Sequence, residues 1–165
     1  MKEKGIDELL SAYNQFKNEY GDKVTLDVVG FFEDEYKDII EKMNSDGLIA
    51  FHGFQNDAVP YYQNADCIVM PSYHEGLSNV LLEASAIGRP CITTNIPGCK
   101  EAVEDNTTGF LVSPKNTAEL YEAMKRFINL SSEEKQALGK NARAKIENEF
   151  DKNVVVSQVI EKILG

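Results

Sequence analysis

Histidine is scarce in this 165-residue chain: His52 and His74 are the only two. Neither falls in a Ser-His-Asp set or in a Cys/His spacing of the kind that holds zinc. Cysteine is scarce as well, with three, an odd number that cannot close into a disulfide framework. Cys67 and Cys91 open apolar segments and Cys99 sits in a loop, the pattern of buried thiols in a reducing compartment. Basic residues are few: 17 Lys and Arg against 27 Asp and Glu, a formal charge of −10. That balance excludes a nucleic-acid surface and an anionic-membrane surface, both of which select Lys and Arg clusters. No apolar run approaches the roughly 18 residues of a membrane span. The segment from Met1 to Asp7 has no apolar signal region. There is no Asp-x-Asp metal motif, no internal repeat and no low-complexity stretch.

What is present is enough for a core. Apolar residues make up 42 % of the chain, above the range of disorder. The length predicts one domain over 1–165. Ile6, Leu9, Leu10, Tyr13 and Phe16 follow helical spacing up to Gly21. Strands are expected at 24–29, 48–51, 67–71, 91–94 and 110–112. Helices are expected around 36–43, 59–65 and 79–87. Three more helices follow. Asn116 and Ser131 each offer a cap with Glu three residues later, and Asp151 can cap the last helix. In that helix Val155, Val159, Ile160 and Ile163 would pack on the body. Strands alternating with helices imply an α/β fold, a Rossmann-like parallel sheet flanked by helices.

The run His74-Glu75-Gly76-Leu77-Ser78-Asn79-Val80-Leu81-Leu82-Glu83-Ala84 carries the chemistry. An apolar strand precedes it and a helix follows. A small-residue turn therefore stands at the C-terminal end of a parallel strand, where open α/β sheets bind ligands. The helix N-terminus favours an anion such as a diphosphate. Carboxylates accept hydrogen bonds and repel phosphate, so Glu75 and Glu83 suit hydroxyl groups. An anion site between two hydroxyl acceptors is the pattern of a sugar nucleotide.

The two glutamates, eight residues apart, are followed by Ala84-Ser85-Ala86-Ile87-Gly88-Arg89-Pro90-Cys91-Ile92-Thr93. Together they resemble the donor-binding C-terminal domain of a retaining GT-B glycosyltransferase of family 4 (glycosyl transferases group 1). Further matches are Ile49, Phe51 and Gly53; Tyr61 and Asp66; Asn95 to Glu101; and Thr108 to Val112. The resemblance covers nearly the whole chain.

It implies transfer of a sugar from a nucleotide-sugar, a UDP-sugar first, to a glycan or polysaccharide acceptor with retention. No cofactor or metal is implied, and a cytoplasmic location is, with contact to the inner membrane face through an N-terminal half. Glu83 would accept from the ribose hydroxyls. Glu75 would lie beside the transferred sugar. Gly76, Leu77, Ser78 and Asn79 would present N–H groups to the sugar and distal phosphate, and Gly98 would belong to a donor-side loop with Glu101. Lys4 would neutralise the diphosphate. Each has a plainer reading: a solvated helix carboxylate, a loop acid, a Ser N-cap, a simple turn, a terminal lysine. Gly-Leu-Ser-Asn stands where many relatives carry Phe-Gly-Leu-Pro, which leaves the donor sugar open.

The family opens this domain with a strand ending in Gly-Arg and then a Lys-Gly step. Lys4-Gly5 matches the step, so the chain is expected to lack the first strand and its Arg, and to look like a fragment without the acceptor-binding half. A strand-sharing oligomer is one expected remedy. A non-catalytic nucleotide-sugar-binding fragment, or another GT-B enzyme such as a sugar-nucleotide epimerase, stays open as an alternative.

Overall fold

The first helix, α1 (Ile6–Tyr20), forms because Ile6, Leu10, Tyr13 and Phe16 share one stripe and are buried by it. It starts at Gly5, which has φ 69° and sits so close to Pro71 that a Cβ would lie 2.1 Å from the Pro71 carbonyl oxygen. Any side chain there would be doubly penalised, by backbone conformation and by contact. The computed structural model describes residues 2–31 and 33–157.

The remaining elements alternate as expected. They are β1 (Asp27–Val29), α2 (Lys37–Ser45), β2 (Ala50–Gly53), α3 (Val59–Asn64), β3 (Ile68–Met70), α4 (Asn79–Ala86), β4 (Cys91–Thr94), β5 (Gly109–Val112), α5 (Thr117–Ile128) and α6 (Ser132–Glu149). Ser78, Asn116 and Ser131 cap α4, α5 and α6 with their side chains. Ser131 and Glu134 complete a capping box. Two strands are shifted from expectation. β1 begins only at Asp27, because Val24 closes a turn by donating to Gly21 O. β2 begins at Ala50, because the N–H groups of Leu48 and Ile49 are spent on Met43 O at the end of α2.

All strand pairs among the described residues are parallel, which gives the α/β architecture with helices on the sheet faces. The strands do not form one ladder. β1 pairs with β2 and β3-β4-β5 form a second sheet. The two sheets share one core. Val24 and Val28 from the first side, Ile92, Phe110 and Val112 from the second, and α1 and α5 above them form one apolar cluster. Where β1 and β3 would meet, a cavity of about 830 Å³ runs between their facing edges. α1 and α5 line one side of it, through Phe16 and Phe127, and α3 the other, through Tyr62.

Cys91 and Cys99 are buried free thiols, and Cys67 is a partly exposed one beside the cavity. Burial pushes the Cys91 thiol up to about 12, far from a reactive thiolate. One expected contact fails. Val155, in the helical turns 152–157 capped by Asp151, is exposed and does not pack on the body. Val159, Ile160 and Ile163 lie outside the described residues.

Candidate functional site

The site is built where β3 ends and α4 begins. β3 delivers the chain through Pro71, Ser72 and Tyr73, all buried, into the turn His74 to Leu77, which is exposed except at Glu75. Ser78 then turns the chain into α4: its side chain caps the Leu81 N–H at 3.5 Å and its own N–H donates to Gly98 O at 3.2 Å. The N–H groups of Asn79 and Val80, in the first turn, have no place in the helical ladder and point outward with the positive end of the helix dipole.

The loop after β4 is locked against this turn. Gly98 has φ 88°, and a Cβ on it would fall 1.5 Å from Gly76 O. Glu101 accepts the Gly98 N–H at 2.6 Å. Glu101 therefore fixes the loop from within.

Two of the expected site residues meet directly. Lys4 Nζ lies 2.5 Å from Glu75 Oε1, with the Glu75 side chain 13 % exposed and Lys4 54 % exposed. Both line the upper end of the cavity, together with Leu77, Ser78 and Asn79. A cation, a half-buried carboxylate and a free helix N-terminus thus share one opening. Such a set can bind an anion at Lys4 and the N–H groups while Glu75 accepts from a hydroxyl.

Glu83 stands apart from the cavity wall. It is exposed on α4 and accepts from Tyr62 OH of α3 at 3.2 Å. Burial, with the nearby Glu83 charge, pushes the Tyr62 phenol up to about 12. Gly76 and Gly98 likewise lie outside the wall and shape the loops behind it. The histidines are both engaged: His52 Nε2 lies 2.6 Å from Asp27 Oδ1, and exposed His74 lies 3.6 Å from Glu3.

Two features escape a reading of sequence. One is the Tyr62–Glu83 pair, whose i to i+21 spacing carries no local signal. The other is Phe31 stacked on Phe54, ring centroids 4.6 Å apart and interplanar angle 7°, both exposed at the C-terminal ends of β1 and β2. Exposed phenylalanines after two consecutive strands were the available hint. Among the described residues no cluster of three or more His, Cys, Asp and Glu could hold a metal ion, and no helix is long and apolar enough to cross a membrane.

Comparison with known proteins is consistent with this geometry. The capsular polysaccharide biosynthesis glycosyltransferase CapM of Staphylococcus aureus is 31 % identical over 160 residues, covering 94 % of this chain and 41 % of that protein. The crystal structure of Anabaena HepE in complex with UDP-glucose superposes with a TM-score of 0.82 at 26 % identity, covering 99 % of this chain and 46 % of HepE. The C-terminal domain of LpcC, a glycosyl transferase group 1 family protein of Francisella tularensis, gives a TM-score of 0.78 at 25 % identity and is itself covered over 82 % of its length. This chain spans about two fifths of the curated relatives it matches. The family profile described as glycosyl transferases group 1 fits residues 1–145, and the chain belongs to that family.

Proposed function

We propose that this chain binds the nucleotide-sugar donor, UDP-linked in the first instance, for a retaining, metal-independent transfer to a glycan acceptor. The observation that carries the reading is the convergence of Lys4, Glu75 and the free N–H groups of Asn79 and Val80 at one opening. In this reading the diphosphate displaces Glu75 as the partner of Lys4 and takes the α4 N-terminus as its second contact. Glu75, released, faces the sugar hydroxyls. Gly76, Leu77 and Ser78 form the wall of the sugar site, and Gly98 holds that wall at its fixed distance. Glu83, with Tyr62 fixing its rotamer, accepts from the ribose. Charge that develops on the leaving diphosphate is stabilised by groups already in place, which is electrostatic catalysis without a nucleophilic side chain. The full reaction, with its acceptor and any contact with the cytoplasmic membrane face, belongs to the longer proteins of the family.

Thermal denaturation against UDP, UDP-glucose, AMP and NAD tests the reading. UDP ligands at about 100 times their dissociation constant should add roughly 2.7 kcal/mol. Absence of any shift with every nucleoside diphosphate overturns the donor site. Calorimetry separates the roles further. Glu83→Ala should weaken UDP binding about ten- to a hundredfold, the worth of a hydrogen bond to a charged acceptor. Glu101→Ala should weaken it less, through the loop alone. A turnover assay of this chain separates donor binding from complete transfer.

A further inference from the structure

Lys4 sits among acids. Glu3 precedes it, and Asp7 and Glu8 stand three and four residues on, in the first turn of α1. Those are the separations at which opposite charges ordinarily pair along a helix. The lysine side chain is also a flexible point charge that can follow whichever carboxylate is offered. Local sequence therefore directs the Lys4 ammonium back onto its own segment. The structure sends it elsewhere, to Glu75, 71 positions away and 2.5 Å distant.

The three acids are held by other groups. Tyr36 OH, from the turn before α2, donates to Asp7 Oδ2 at 3.1 Å. Tyr73 OH, from the segment after β3, donates to Glu8 Oε2. His74 lies 3.6 Å from Glu3 Oε2. Tyr36 and Tyr73 are 7 and 9 % exposed, so the body of the protein fixes both hydroxyls. Burial first, and then the hydrogen bonds to Asp7 and Glu8, raises both phenols, which stay O–H donors at neutral pH. Tyr73 is fixed from two further directions. Its N–H donates to Glu3 O at 2.8 Å, and Lys115 Nζ lies 4.8 Å from the centre of its ring. Neither tyrosine lines the opening that holds Lys4 and Glu75.

Magnitudes favour this arrangement. A hydrogen bond from a fixed hydroxyl to a carboxylate is the stronger contact, because an exposed ion pair contributes little. Moving Glu8 to Lys4 would exchange the first for the second. Removing the hydroxyl reverses the order and frees the carboxylate to compete.

We infer that Tyr73 and Tyr36 are positioning residues of the anion site. Their hydroxyls occupy Glu8 and Asp7, the local competitors for Lys4, and so leave its ammonium directed across the opening to Glu75 and to the diphosphate that replaces it. This rests on the donor reading and adds to it the residues that keep the cation available.

Calorimetric titration with UDP and with inorganic diphosphate, at low ionic strength where ion pairs are least screened, tests the assignment. Tyr73→Phe should weaken both ligands about two- to fivefold, the range of an exposed ion pair. Glu8→Gln alone keeps an acceptor for Tyr73 and removes the competing charge, so affinity should not fall. The double variant, Tyr73→Phe with Glu8→Gln, should return to the wild-type affinity, because the freed side chain no longer attracts Lys4. Tyr36→Phe with Asp7→Asn forms a second cycle with the same expected pattern, and it carries the test if Tyr73→Phe does not fold. A loss in Tyr73→Phe that Glu8→Gln fails to restore overturns the inference, since a hydroxyl needed only for structure is not replaced by removing a charge elsewhere. So does unchanged affinity in Tyr73→Phe. Both of those outcomes leave donor binding intact. Wild-type protein that binds neither ligand overturns the donor reading, and this inference with it.

Discussion

Tyr62 and Glu83 show how a buried phenol can position an exposed carboxylate. Tyr62 is 7 % exposed, and its hydroxyl donates to Glu83 at 3.2 Å. Burial above all, and then the second negative charge that deprotonation would place beside Glu83, push the phenol up to about 12. Tyr36, bonded to Asp7 and also buried, is raised to about 12 as well. A raised folded-state value means that the native state holds its proton more tightly than the unfolded chain. The resulting stability is complete below pH 10 and is lost as pH rises from 10 through 12. Two pH units correspond to roughly 2–3 kcal/mol per group. Urea unfolding should therefore show a steep loss over that window in the native protein and a shallower one in Tyr62→Phe. At pH 7 the same substitution should cost about 1 kcal/mol, the net worth of one hydrogen bond. At this scale the sequence offered Glu75 and Glu83 as candidates, because their spacing around a strand-turn-helix is local, and Lys4 only through the resemblance. It could not display their partners. Lys4 meets Glu75 across 71 positions, and such a contact depends on packing that no local pattern encodes.

Elements were legible wherever the signal lay within one turn of helix. The Ser131–Glu134 box and the Asn116–Glu119 cap stand where their spacing put them. Backbone N–H groups hold the Glu134 and Glu119 carboxyls below the ordinary carboxylate value of 4.5. A depressed value means stability that is present above pH 4.5 and lost as pH falls through the folded value. Protection of the Ser131 amide, taken relative to its intrinsic exchange rate at each pH, should fall on acidification, and Glu134→Gln should remove most of that pH dependence. Strand ends were harder to place, because Val24, Leu48 and Ile49 have strand-like side chains but backbone already committed to turns. The contact of the two loops rests on one atom. Gly98→Ala must both hold φ near 88° and clear Gly76 O, a combination worth about 3 kcal/mol of strain and overlap. The expected outcome is a lower midpoint in urea with the slope unchanged, and UDP affinity reduced with it.

At the scale of the molecule, two sheets with no shared ladder behave as one body only through the helices that bridge them. Phe16 on α1 is 7 % exposed and belongs to the cluster that joins Val28 of the first sheet to Ile92 and Phe110 of the second. Phe16→Ala should cost about 3–5 kcal/mol. Unfolding followed by far-ultraviolet dichroism and by tyrosine fluorescence should then separate into two transitions, whereas in the native protein the two probes coincide. The class of fold was readable because strand and helix alternate along the chain. The division of the sheet was readable only as an expectation of a missing strand. Phe16, Met124, Phe127 and Tyr62, which line the space between β1 and β3, come from three helices far apart in the chain, and that convergence has no one-dimensional signature.

The bond from Tyr73 N–H to Glu3 O has a practical side. It pins residue 3 to the rim of the opening, one residue from Lys4. Whatever is joined upstream of Lys2 therefore starts two residues from Lys4, the cation that pairs with Glu75. A polyhistidine purification tag at that end would bring extra cations to the mouth of a site that already pairs one. Nucleotide affinities measured on such a protein would include the tag's own attraction for phosphate, and cleaving the tag should change both the affinity and its salt dependence.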